Sequence, residues 1–338
     1  MAGRRLHLAR LMMAMGVHGL VSRNEPPSLL VLNYHRVRSP GQVSSEFDDG
    51  VFDADLETFR RQMRWLRSET QILDESSLLK LGGGANLTRG TVYSAVTFDD
   101  GYVDCFNLVK PVLDELGIRG IFFIPVEILE TRKLGWWDIA AYLLKRSERS
   151  KVTVNEVDYP LGKYLPQSLK SILNVFKLEP AENTRDLLDK LSAACGVRPP
   201  GKDRQSAELM NWTQVCQLRM AGHSIGSHAW SHWPLATLKP DDQVREIRES
   251  RRELQAIVGE SILSFAYPVG GSRHFNDLSV RIVRDTGYSQ AFTYNTGISS
   301  LPIEDKFRIP RESAKSLALL KAKALFPGFM GLKARQAV

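Results

Sequence analysis

Short apolar runs alternate along this chain with longer stretches in which apolar positions recur every three or four residues, the pattern of strands followed by packed helices. "SLLVLNYHRV" predicts a buried strand, and "DADLETFRRQMRWLRSE" after it predicts a helix with Leu56, Phe59, Met63 and Leu66 on one face. "TVYSAVTF" reads as the next strand, "VDCFNLVKPVLDELG" as a helix closed by Gly117, and "RGIFFIPVE" as another strand. "NWTQVCQLRMAG" predicts a helix capped by Asn211 and stopped by Gly222, leading into "HSIGSH". A charged helix from Pro240 to Val258, the strand "SILSFAYPV", the helix "DLSVRIVRDTG" and the strand "SQAFTYN" complete the series. Strand–helix alternation of this kind implies parallel pairing, and enough units are present to predict a barrel with its reactive loops at the carboxyl ends of the strands.

Residues 130 to about 210 break the rhythm with "GWWDIAAYLLKRSERSKVTV", the Pro/Leu-rich "DYPLGKYLPQSLKSIL" and the helix-like "AENTRDLLDKLSAACG". The chain afterwards resumes the alternation, so this segment reads as a mainly helical insertion between two barrel strands. The expected organisation is therefore an N-terminal segment 1–27, a barrel over 28–311 and a basic tail over 312–338.

With 338 residues, 43% hydrophobic and 25% charged, the chain can bury a sizeable core, and disorder is excluded as its default. Lys and Arg outnumber Asp and Glu by 45 to 38, giving a net charge of +7. The excess is spread except at the two ends, which argues against nucleic acid and leaves peripheral contact with a membrane surface through those ends. Cys105, Cys195 and Cys216 are far apart and form no CxxC pair, which argues against a disulfide framework or thiolate metal site and fits a reducing compartment. The basic N-terminal segment is apolar from Leu11 to Val21, but His18 interrupts it and no small-residue cleavage site follows. It reads as an amphipathic helix on a cytoplasmic, membrane-peripheral protein, with a signal peptide as the other reading.

"TFDDGY" places Asp99 and Asp100 side by side at a strand end, where their repulsion calls for a positive centre or a reacting group. "GHSIGSHAWSHWPL" supplies His223, His228 and His232, and the four-residue spacing of the last two turns both imidazoles one way on a helical turn or tight loop. Alone, such a pair is more often two surface or satisfied core histidines. With the aspartates, one carboxylate and two imidazoles fill three positions of a zinc-like cation and leave others open for water and substrate.

"TFDDGY", "HAWSH" and "FAYPVG" together resemble the NodB-homology polysaccharide deacetylases of carbohydrate esterase family 4, and "LNYHRV" resembles the opening strand of one branch. The likeness spans roughly 28 to 311. It implies a distorted (β/α)7 barrel, a divalent cation on Asp100, His228 and His232, and Asp99 as catalytic base. Zn²⁺ is expected from the ligand types, with Co²⁺ or Ni²⁺ able to substitute. The family's oxyanion donor falls on the backbone N–H of Val269.

Two departures from the family pattern stand out. Ala266 occupies the place of a base-orienting arginine, which Arg308 or Arg311 could supply, and no histidine follows His274 to act as the late acid. His35 then becomes the candidate for an additional active-site residue, though a hydrogen-bonded core histidine fits its position as well. Tyr102, Trp230, Tyr267 and Arg311 are candidate substrate contacts; Trp136 and Trp137 could stack on sugars or fill core. The reading is a metal-dependent hydrolase removing N-acetyl groups from amino sugars of a glycan. The alternatives are a carbohydrate-binding barrel without turnover and an O-acetyl esterase.

Overall fold

The computed structural model describes residues 26–82 and 87–326. Six barrel strands pair in parallel: β1 (Ser28–Tyr34), β2 (Val92–Phe98), β3 (Ile121–Ile124), β4 (Ser224–Ser227), β5 (Ser264–Ala266) and β6 (Gln290–Phe292), in that spatial order. Every residue of β1 is buried, as a strand covered on both faces requires, which is why its sequence is a continuous apolar run rather than an alternation. A seventh strand, β7 (Glu312–Ser313), pairs in parallel with β1, and Ile309 just before it bridges Phe292 of β6. Residues 309–313 therefore close the sheet on itself. The result is the distorted (β/α)7 barrel expected from the sequence, its distortion following from so short a closing strand.

The helices follow their sequence signals with one difference. Asp55 caps the helix Leu56–Glu69, accepting from the Thr58 N–H, and Phe59, Met63 and Leu66 are buried with Gln62 and Trp65; Leu56 is only half-buried. Asn211 forms a capping box with Gln214 at the helix Trp212–Met220. The helix after β2 is not regular throughout: Cys105–Val109 is a π-helical turn, and the α-helix proper is Lys110–Leu116, ended by Gly117 at φ 67. Pro111 has no N–H to give the carbonyl four residues back, and a widened turn accommodates that loss.

Between β3 and β4 lie the helices Val126–Thr131, Trp136–Arg146, Leu165–Leu178, Thr184–Cys195, Lys202–Ser206 and Trp212–Met220. The segment also holds an antiparallel hairpin, Lys151–Val154 with Val157–Pro160, absent from the mainly helical expectation. Its signal is the alternation in "KVTVNEVDYP", joined by Asn155 and Glu156 at φ 49 and 65, the two left-handed residues of a tight hairpin turn. The buried side chains of this segment, Leu143, Ile172, Phe176 and Leu191 among them, belong to the same apolar cluster as Leu32 and Phe98 of the barrel. The expected tail also differs over residues 312–326. They form β7 and the helix Leu317–Leu325, which buries Leu320, Ala322, Ala324 and Leu325. The expected amphipathic helix over 1–27 lies almost wholly outside the described residues, as does the chain beyond 326. No helix among the described residues is long and apolar enough to cross a membrane.

Candidate active site

Strand β2 delivers Asp99 and Asp100 to the carboxyl end of the barrel. The Asp99 N–H continues the ladder by donating to the Tyr34 carbonyl (2.9 Å); Asp100 and Gly101 then take left-handed conformations, φ 72 and 74. Two such residues in succession turn the chain sharply, so the adjacent carboxylates acquire different neighbours. A Cβ on Gly101 would also meet Leu129 at 2.5 Å.

Asp99 is forked by Arg311: Nη1 donates to Oδ1 (2.8 Å) and Nη2 to Oδ2 (2.7 Å). The same guanidinium donates to the Thr293 carbonyl (3.0 Å), Asn33 Oδ1 (3.0 Å) and Thr97 Oγ1 (3.2 Å). Burial alone would raise the Asp99 pKa, but Arg311 first and His228 next hold it below the usual carboxylate range. Arg311 was expected to touch substrate. Arg311 does line the cavity, but its fork is committed to Asp99 and its remaining contacts to the barrel interior, so it orients the Asp99 carboxylate, as Ala266 cannot, while Arg308 pairs with Asp277 and Asp305.

Asp100 faces two imidazoles. His232 Nε2 lies 3.2 Å and His228 Nε2 3.5 Å from its Oδ1, and one donor atom from each of the three residues lies within 4.8 Å of the others. His228 follows β4 directly, and its Nδ1–H donates to the Ala266 carbonyl (2.8 Å), which leaves Nε2 as the free lone pair. Burial lowers the His228 pKa to about 4, so the ring is neutral, the form that ligates. His232 reaches the cluster through a left-handed backbone, φ 60. Asp100 Oδ1 is buried and receives no hydrogen bond, despite the nearby imidazoles. A buried, undonated carboxylate oxygen facing two imidazole nitrogens is a donor set that fits a divalent cation, and mixed N/O donors fit zinc.

His35 sits just past β1. Its N–H donates to Asp53 Oδ2 (2.8 Å) and its Nδ1 lies 3.1 Å from the same oxygen. Burial would lower its pKa, but Asp53, with Asp100 and Asp99 behind it, raises it to about 9. The ring is therefore an imidazolium at neutral pH, and it lines the same cavity as the aspartates. Val269 lines that cavity too, at φ 59, and its N–H meets no acceptor among the described residues.

The cavity measures about 720 Å³. Trp136, Trp137 and one face of the helix Leu165–Leu178 form its second wall. Trp137 packs on His232, ring centroids 4.5 Å apart, so the tryptophan pair left open by the sequence stands at the site. Three other expected contacts are corrected in part or whole. Tyr102 is buried away from the cavity: its hydroxyl donates to Asp138 Oδ2 (2.6 Å) and accepts from Trp137 Nε1–H (2.7 Å). Trp230 is half-buried outside the cavity lining, its N–H donating to Glu246 (3.0 Å). Tyr267 reaches the wall, but its hydroxyl is spent on the Phe307 carbonyl (3.0 Å) and its ring stacks on Phe275, leaving it shape and no free donor. His223 lies before β4, away from the cluster, accepting from the Gly120 N–H (3.2 Å), and His274 is outside the lining. The wall helix had no functional reading in the sequence; its apolar positions are those of any packed helix.

Comparison with known proteins adds to this geometry. A family model described as polysaccharide deacetylase matches residues 87–291. The Bacillus subtilis protein YxkH, whose name places it among polysaccharide deacetylases, is 24% identical over 152 residues, 44% of this chain; the match spans about half of YxkH, 53% of its length. The barrel is also similar to the Streptococcus pyogenes deacetylase PplD solved with acetate, with a TM-score of 0.58 at 16% identity, over 89% of this chain and 99% of that one. IcaB from Ammonifex degensii superposes with a TM-score of 0.54 at 17% identity, over 88% and 98% of the two chains. At these identities the structures speak for the fold.

Proposed function

The chain belongs to the polysaccharide deacetylase family, and on that premise we propose that it removes N-acetyl groups from amino sugars of a polysaccharide or glycan precursor, using a divalent cation held by Asp100, His228 and His232. The observation that carries this reading is the division between two adjacent carboxylates. Asp99 is gripped by Arg311, while Asp100 presents an undonated oxygen to two imidazoles.

Each residue then has one job. Asp99, held ionised by Arg311, accepts the proton of the attacking water. The Val269 N–H donates to the acetamide oxygen as negative charge gathers on it. His35, protonated through Asp53, gives a proton to the departing amine, a poor leaving group until it receives one. Bound at the cluster, a divalent cation supplies carbonyl polarisation and a lowered water pKa. The protonated His35 favours an amide substrate over an ester, whose leaving group needs no such donor.

Acetate release from an N-acetylglucosamine oligomer tests the reading. Metal-loaded protein is expected to release acetate, to stop on chelation, and to resume with Zn²⁺ or Co²⁺. His228→Ala is expected to lower bound metal after chelation and reloading. Loaded protein that binds the oligomer and releases no acetate would show a binding barrel, and release confined to an O-acetylated sugar would show an esterase.

A further inference from the structure

The cavity wall opposite the carboxylates carries charge that the proposed chemistry leaves unused. Four lysines reach the lining, Lys145, Lys170, Lys177 and Lys315. Two are committed within the fold: Lys145 Nζ donates to Asp49 Oδ2 (2.6 Å) and to the Ser45 carbonyl (2.8 Å), and Lys315 Nζ donates to the Gly50 carbonyl (2.8 Å). Lys170 and Lys177 make no hydrogen bond and no ion pair among the described residues.

Their placement is regular. Both stand on the helix Leu165–Leu178, seven residues apart on one face, with Asn174 between them and Leu169 and Leu173 beside them on the cavity side. Seven residues span about 10 Å of helix axis. Lys177 is half-buried, and burial lowers its pKa from the usual lysine value, with Asp48 opposing and Lys170 adding to the effect.

Most acids facing this wall are already engaged. Asp99 holds Arg311, Asp49 holds Lys145 and Arg38, and Asp100 faces the two imidazoles; Asp48, which accepts from the Gly50 N–H, attracts Lys177 without forming an ion pair with it. Lys177, half-buried and with no hydrogen-bond partner, carries a desolvation cost that an incoming anion relieves and a neutral polymer leaves standing, while Lys170, which is exposed, adds positive charge to the same wall.

We infer that the acetylated sugar is presented within an acidic glycan, whose carboxylate or phosphate-ester groups pair with Lys170 and Lys177 while the acetamide lies at the carboxylates. This rests on the deacetylase reading of the same cavity.

The test compares full-length, metal-loaded protein on three N-acetylglucosamine-containing oligomers of equal length: neutral, alternating with glucuronate, and bearing phosphate esters. Affinities are measured by calorimetry on an Asp99→Asn background so that nothing is consumed. At least one anionic oligomer is expected to bind about tenfold more tightly than the neutral one at low salt, the scale of two partly exposed ion pairs. The preference is expected to shrink in about 0.5 M NaCl. Lys170→Gln with Lys177→Gln is expected to bring the ratio towards one, and Lys170→Arg with Lys177→Arg to retain it, which separates charge from folding. The two anionic arms tell carboxylate from phosphate. Equal affinity for all three oligomers, or a preference that survives the double glutamine variant, overturns the inference. Acetate release by the wild type, measured in parallel, reports on the deacetylase reading alone.

Discussion

Arg311→Met removes the partner of a carboxylate that has almost no contact with solvent, Asp99 being 2% and Arg311 1% exposed. Breaking a buried ion pair from one side costs about 3–5 kcal/mol, because the remaining charge stays desolvated and unpaired. The guanidinium also donates to the Thr293 carbonyl, Asn33 Oδ1 and Thr97 Oγ1, so a loss towards the upper end, about 4–5 kcal/mol, is expected. Methionine retains much of the alkyl stem, which keeps cavity formation a minor part of the change. The source of the cost can be isolated. In the double variant Asp99→Asn with Arg311→Met the orphaned charge is gone, so the pair is expected to be about 2 kcal/mol or more stabler than Arg311→Met alone. The assay is equilibrium urea unfolding of metal-free protein in chelator at neutral pH, compared at constant m-value. Chelation matters because a cation beside Asp99 would compensate its charge. Arg311→Lys is expected to fall between Arg311→Met and wild type, since its ammonium keeps the Asp99 charge paired but cannot fork both oxygens. A loss below about 1 kcal/mol for Arg311→Met, the scale of an exposed pair, or a double variant no better than the single, would refute the argument.

Three further outcomes follow from the same geometry. Asp99→Asn is expected to slow acetate release by about 10² or more with metal content intact, because a neutral amide accepts no proton; loss of metal there and its retention in Asp100→Asn would reverse the two roles. His35→Ala is expected to slow amide hydrolysis much more than hydrolysis of an activated ester, and equal slowing of both would assign the ring to structure. His223 is fully buried and its pKa is lowered to about 4, burial being the main cause, and protonating Nδ1 would break the Gly120 bond. Since its unfolded value is near 6.5, its contribution is complete above pH 6.5 and is lost as pH falls towards 4, on the order of 2–3 kcal/mol. His223→Asn should flatten that part of a urea stability profile against pH, and an unchanged slope would remove His223 as its source.

The sequence made the carboxylates and imidazoles legible because they lie in short motifs at strand ends, where local order already fixes what can meet. "TFDDGY" and "HAWSH" needed only the parallel topology to bring Asp100, His228 and His232 within ligand distance. Arg311 was harder to place. Asp99 and Arg311 are 212 residues apart and meet only because residues 309–313 close the barrel between β6 and β1, a pairing too short to show as a strand pattern. Tyr102 misled for the opposite reason: adjacency to the aspartates suggested a wall of the site, but the two left-handed residues before it turn its ring to the far side. The wall from the insertion was illegible because Lys170 and Lys177 differ from other unpaired lysines only in lining the cavity that holds the carboxylates, and a sequence does not display that.

The insertion is fastened at its core to the loop after β2. Tyr102, two residues past Asp100, donates to Asp138 and accepts from Trp137, both on the helix that begins the second wall, and Trp137 in turn packs on His232. Asp138 also accepts from the Asp48 N–H (3.0 Å), tying in the loop that carries Asp49 and Gly50 along the cavity. One buried carboxylate thus fixes three things at once: the loop after β2, the tryptophan against an imidazole of the cluster, and the rim that engages Lys145. Because the members of a buried polar network depend on one another, a change at Asp138 should disturb the Asp100, His228 and His232 cluster and the opposite cavity wall in the same step. On the proposed function the barrel provides the reacting groups and the insertion the surface that meets the glycan, and the hydrogen bonds they share join them around one cavity.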